Sequence, residues 1–157
     1  MPIYNQYYPN ANNAINTLES ARRLAFDGPL LPVTVSVPAQ VASYLQSRNL
    51  SVPTPVSGYA LIDTGASMCS VDDSAIRSLN VPPFGRTSIN TPGGPADCLT
   101  YPASLSFPGT TLPNINFTDF IGARLQASGI IALIGRNVLQ SFVLVYNGPG
   151  GSISLAY

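Results

Sequence analysis

Fifteen prolines and thirteen glycines punctuate this chain of 157 residues. That density argues against a long-helix protein and for short strands joined by tight turns. Residues 30–37 alternate Leu, Val, Val and Val with Pro, Thr and Ser, the period of a half-buried strand. Residues 56–63 read as a second strand, and further candidates fall at 86–91, 97–107, 112–121, 130–134, 142–146 and 153–157. Pro92-Gly93-Gly94-Pro95 predicts a hairpin tip of high backbone freedom, and Asn147-Gly148-Pro149-Gly150-Gly151 joins the last two strands.

Helical spacing is confined to short stretches. Ile15, Leu18, Arg22 and Ala25 share a face in residues 14–26, and Asp27-Gly28-Pro29 stops that helix. Val41, Tyr44 and Leu45 do the same within 38–50. Ser70, with Asp73 three residues on, is placed to cap a helix whose apolar face is Ala75, Ile76 and Leu79. Residues 135–139 predict one more short helix. The organisation expected is an N-terminal arm and helix over residues 1–28, then one domain over 29–157. The arm is rich in Asn, Tyr and Pro, and two roles suit it: packing outside the domain, or covering an active site as a pro-segment.

A chain of this length buries roughly 68–70% of its unfolded surface. Charged residues make up only 9%, against about 25% in an average domain. A weakly charged surface of this kind suits self-association. Seven Arg balance seven Asp plus Glu, so no net field draws nucleic acid or anionic lipid. The longest apolar run, residues 130–134, is too short to cross a membrane. The first residues lack a basic segment followed by an apolar one, which reads as no secretory signal and leans toward the cytoplasm. Cys69 and Cys98 do not make a disulfide framework, and free thiols are the expected state.

The chain contains no His and no Lys: all seven basic residues are Arg. Ser67 or Cys69 as a nucleophile would lack a base. A phosphate-binding P-loop would lack its Lys. A zinc site without His is implausible, and Asp72-Asp73 reads as helix N-terminal charge favoured by the macrodipole. Carboxylate chemistry survives, and the sequence points to where. Asp63-Thr64-Gly65-Ala66-Ser67 follows the apolar Tyr59-Ala60-Leu61-Ile62, which stands an acid at the end of a buried strand. Two carboxyls in hydrogen-bonding reach cannot both ionise, so one serves as base while the other serves as acid. No second Asp-Thr-Gly exists in the chain, so the partner acid must come from another copy. Alone, the triplet is a weak signal that occurs by chance and more often makes an Asx turn than a catalytic loop.

A second motif lies about seventy residues downstream: Leu133-Ile134-Gly135-Arg136-Asn137-Val138-Leu139. With the two motifs in this order and spacing, residues 30–157 resemble the retropepsin-like aspartic proteases. The resemblance implies an all-β fold, a closed barrel with one or two short helices, active as a homodimer on a peptide or protein substrate. It implies that Asp63 is the catalytic carboxylate, that Thr64 interlocks the two loops at the dimer axis, and that Ala66 completes the loop. Gly65 would offer its carbonyl to the bound peptide, with Gly93 and Gly94 on a flap above it. Gly135, Arg136 and Asn137 would support the catalytic loop from below. No metal or organic cofactor is implied, and neither nucleic acid nor membrane is an expected partner.

Three departures accompany the resemblance. Ala66 matches the viral enzymes where larger relatives carry Ser, which implies a less acidic optimum. Ser67 stands where an Asp often pairs with the Arg, leaving Arg136 to seek Asp72, Asp73 or Asp97. Residues 142–157 look like a whole hairpin where the viral chains end in one strand. The competing reading is a catalytically silent or latent peptide-binding module of the same fold.

Overall fold

The computed structural model of the chain describes residues 3–8, 17–91 and 93–157. Ten strands and four α-helices are found among them, two sheets in all. The mostly β class agrees with the sequence, but four helices stand where the class implies one or two.

Seven strands form the larger sheet. In chain order they are β2 (Leu30–Ser36), β3 (Val56–Ile62), β4 (Ser70–Asp72), β5 (Gly85–Thr91), β6 (Gly94–Ser106), β7 (Ile115–Ala123) and β8 (Ala132–Ile134). Their spatial order is β2-β3-β8-β4-β7-β6-β5, and β2 also pairs with β6, so six strands come round upon themselves. Alternation produces the core directly. Leu31, Val33 and Val35 of β2, with Ala103 and Leu105 of β6, point inward at 0–1% exposure. Phe120, Ile76 and Leu79 join them, and each large side chain removed from water contributes about 1.5–3 kcal/mol.

The predicted strands recur within one to three residues of their expected ends, and two strands were not among them, one within the expected arm at residues 3–7 and one at residues 70–72. Residues 70–72 were expected to open a helix and instead form β4. Ser70 is therefore not the cap. The helix α3 (Asp73–Ser78) is capped by Asp72, whose Oδ1 accepts from Ser74 N at 2.9 Å. A strand wins here because Ser70 and Val71 have partners on two sides, Leu133 and Ala132 of β8 and Ile121 and Gly122 of β7.

The smaller sheet joins the ends of the chain. Strand β1 (Ile3–Tyr7) pairs antiparallel with β10 (Ser152–Ala156), which pairs with β9 (Val143–Asn147). Helix α1 (Thr17–Asp27) packs against β10. Its inward face is Ser20 and Leu24, while Leu18 and Ala25 are exposed and Ile15 lies outside the described residues. The helix turns this face inward because Gly151 presses against it: a Cβ on Gly151 would sit 2.2 Å from Ser20 C. Tyr8, part of the expected arm, belongs to the core. Its hydroxyl accepts from Leu30 N at 2.5 Å and donates to Gly28 O at 3.0 Å. Burial pushes that phenol up to about 12, against the pull of the Leu30 N–H, so it stays a neutral donor.

Helix α2 (Ala39–Ser47) follows β2 as its spacing predicts, but none of its residues is buried. No helix among the described residues is long and apolar enough to cross a membrane.

Candidate active site

Strand β3 delivers Asp63. Parallel pairing sets Ala60, Leu61 and Ile62 against Ala132, Leu133 and Ile134 of β8, and Asp63 N continues the ladder by donating to Ile134 O at 2.9 Å. The chain then leaves the sheet, turns through 64–69, and returns as β4 on the opposite side of β8. One strand thus lies between the two arms of the Asp63 loop, which fixes the loop at both ends.

Asp63 Oδ1 accepts from Gly65 N at 2.8 Å and from Ala66 N at 3.3 Å. These bonds hold the half-buried carboxylate in one orientation, and Oδ2 has no partner among the described residues. Thr64 is exposed, and its hydroxyl likewise bonds to none of them. Gly65 and Ser67 are also exposed, so the tip of the loop presents polar groups outward.

The second motif lies beneath this loop. After β8 the chain enters α4 (Arg136–Leu139), and Arg136 N donates to Ala66 O at 2.9 Å, Asn137 N to Ser67 O at 3.1 Å. The Arg136 side chain departs from its sequence expectation. Its Nη1 donates to Thr64 O at 2.8 Å and Gly65 O at 2.7 Å, with no carboxylate involved. The acids considered for it are engaged elsewhere or out of its reach. Asp72 is consumed by four donors, and Asp73 faces Arg77 at 3.6 Å. Gly65 O, expected to serve a bound peptide, therefore already carries one bond and retains one lone pair.

Gly135 is required by contact. A Cβ there would lie 2.5 Å from Met68 O and 2.6 Å from Met68 C, distances that real Cβ atoms essentially never show. Cys69 completes the junction, a role the sequence did not reveal. Its buried Sγ accepts from Gly135 N at 3.2 Å and donates to Asn137 Oδ1 at 3.1 Å. Burial pushes the thiol up to about 11, against the Gly135 and Val138 N–H groups, so it keeps the proton it donates. The available signal was its position, on the same loop as Asp63 and opposite Gly-Arg-Asn.

Asp72 is the other residue whose weight was missed. It is 3% exposed, and besides capping α3 its Oδ2 accepts from Leu125 N and Gln126 N, both at 2.9 Å. It thereby ties the loop before β8 to the end of β4. Burial acts to raise this carboxyl, but the Ser74 hydroxyl and the N–H groups of Leu125, Ser74 and Gln126 outweigh it and hold it below the ordinary range. With a lower folded than unfolded pKa, Asp72 stabilises the fold above about pH 4, and that contribution fades as pH falls through the folded value. Asp72→Asn turns an amide donor toward existing donors and should cost about 1–3 kcal/mol at neutral pH. Urea denaturation across pH 3–7 checks it, since the variant should lose part of the wild-type acid dependence.

At one edge of the larger sheet, β5 and β6 form the expected hairpin, paired from Gly85↔Thr100 to Thr91↔Gly94. Gly94 has φ +106°, a conformation L side chains rarely adopt, and Thr91 Oγ1 donates to Gly94 O at 2.7 Å to close the turn. Gly93 is exposed at the tip, and Pro92 lies outside the described residues. A cavity of ≈ 470 Å³ runs under this hairpin, lined by Ile89, Thr91, Ala96, Cys98, Tyr101 and Arg124 among others. No group of three or more His, Cys, Asp or Glu among the described residues is disposed to hold a metal ion.

No family model matches the chain, and no curated protein matches it in sequence. Among solved structures it is similar to EIAV protease complexed with the inhibitor HBY-793, at 20% identity and a TM-score of 0.47 over 72% of this chain and 86% of that one. It is also similar to the solution structure of simian foamy virus (mac) protease, at 12% identity and a TM-score of 0.41 over 69% of this chain and 91% of that one. Both are proteases of retroviruses.

Proposed function

We propose that the chain is an aspartic endopeptidase of retropepsin-like, closed-barrel fold, active as a homodimer in which each copy supplies one Asp63. The observation that carries this reading is the Asp63 loop. One carboxylate oxygen is pinned by two backbone N–H groups, the other has no partner among the described residues, and Arg136 and Cys69 hold the loop from beneath. A group oriented so firmly, with a free oxygen and no His or Lys in the chain to serve another nucleophile, suits acid–base work on water.

One Asp63 takes a proton from water while the other, protonated, donates to the scissile carbonyl oxygen. Attack yields a tetrahedral diol. Its collapse breaks the C–N bond as a proton passes to the leaving amine, and no covalent intermediate forms. In this reading the Thr64 hydroxyls, exposed in the single chain, bond across the axis. The substrate lies extended beneath the β5–β6 hairpin, held by main-chain bonds with apolar side chains to either side.

The test is cleavage of a proteome-derived peptide library between pH 4 and 7, with and without a statine inhibitor that mimics the diol. Statine-sensitive cleavage is expected. A dimeric protein that cleaves nothing would instead be the silent peptide-binding module.

A further inference from the structure

Helix α2 carries an apolar stripe, Val41, Tyr44 and Leu45, that the described chain leaves largely open. Val41 and Tyr44 are 38% and 59% exposed, and no residue of the helix is buried. The stripe is one wall of a cavity of ≈ 570 Å³, larger than the one under the β5–β6 hairpin. Pro53, Pro82 and Pro102 supply further wall, and no charged side chain among the described residues lines it. The cavity has a topological origin. On its edge opposite β7, strand β6 pairs with β5 only as far as Thr100, and β2 takes over at Ser104. Pro102 stands in the gap between them, where the ladder to β7 also slips. A proline has no N–H, so this position strands no donor when apolar matter covers it.

We propose that this cavity is a binding site for a neutral small molecule with an aromatic body, separate from the Asp63 site. Its volume falls in the range of about 300–1,000 Å³ typical of small-molecule pockets. Its walls are preformed. The three prolines have fixed φ, and the Arg48 guanidinium, 5.7 Å from the centroid of the Tyr44 ring, steadies that ring. A ligand entering it therefore orders few side chains, which removes much of the usual cost of binding. An extended peptide fits poorly. Each of its residues would bring an N–H and a C=O, while the polar side chains described on the cavity are Tyr44, Ser51, Ser78 and Asn80. Ser78 is already engaged, donating to Ala75 O at 2.8 Å. A charged ligand would be desolvated here without a counter-charge in the lining, which favours a neutral one. The cavity also lies away from the chemistry. Val37, in its wall, follows the end of β2 that pairs with Val56, whereas Asp63 follows the far end of β3. The seven residues of that strand separate the two by about 20 Å.

The probe for the test is N-phenyl-1-naphthylamine, which is neutral and fluoresces brightly only in apolar surroundings. With the full chain, a saturable rise at one probe per chain is expected, undiminished by a statine inhibitor. Leu45→Asp sets a charge in the wall and should weaken binding about tenfold or more. Tyr44→Ala, at an exposed position, should weaken it similarly and decides the matter if Leu45→Asp does not fold. The sulfonated analogue 8-anilino-1-naphthalenesulfonate should bind about tenfold more weakly than the neutral probe, and equal binding would overturn the neutral class. No saturable rise, binding that survives both substitutions, or displacement by the statine would overturn the site. So would a rise that fades as sedimentation mass grows with protein concentration, since a second copy would then cover the face. No arm of the test reads cleavage, so its failure leaves the protease reading intact.

Discussion

Asp63→Asn should abolish peptide cleavage, lowering kcat/KM by about 10²–10⁴-fold, the usual span for a positioned acid–base group. The substitution is nearly isosteric, and its amide oxygen can still accept from Gly65 N and Ala66 N. The fold should therefore survive with a thermal midpoint close to the wild type's. That combination separates lost chemistry from lost structure. Undiminished cleavage by the variant would remove Asp63 from the reaction.

Gly135→Ala should do the opposite, damaging structure first and activity as a consequence. The new methyl would meet the main chain of Met68, which a rotamer change cannot move aside. Relief requires β8 and the Asp63 loop to separate, which breaks the Gly135 N–Cys69 Sγ bond and tilts Arg136 away from Thr64 and Gly65. A core clash of this kind costs roughly 1–3 kcal/mol, and in a chain of this size each kcal/mol lowers the midpoint by about 2–4 °C. Urea denaturation checks the first figure. A loss under about 0.5 kcal/mol would mean that the junction is looser than its contacts indicate.

Much of the site could be read from the chain because its signals are local. An apolar strand running into Asp63, and a second apolar strand running into Gly135, state their own directions through alternation and the residues that end them. The β5–β6 hairpin announced itself through Gly93 and Gly94. What could not be read depends on partners distant in sequence. Residues 70–72 become a strand because β7 and β8 flank them, a fact no local pattern contains. Ile3 lies opposite Ala156, so the expected arm is one end of a sheet whose other strands come last in the chain. Cys69 reads as an ordinary buried thiol until Gly135 and Asn137 are seen against it. Asp72 and Asp73 look equivalent in sequence, yet the first is sealed under four donors while the second makes an ion pair near the surface.

The central claim, that each reaction centre needs one acid from each of two polypeptides, is tested by a mixing curve. Wild-type and Asp63→Asn chains are unfolded together, refolded at fixed total concentration, and assayed as the wild-type fraction varies. Activity that falls with the square of that fraction is the predicted result, since only pairs of wild-type chains carry two carboxylates. A straight-line fall would show that a single chain suffices, and would contradict the account.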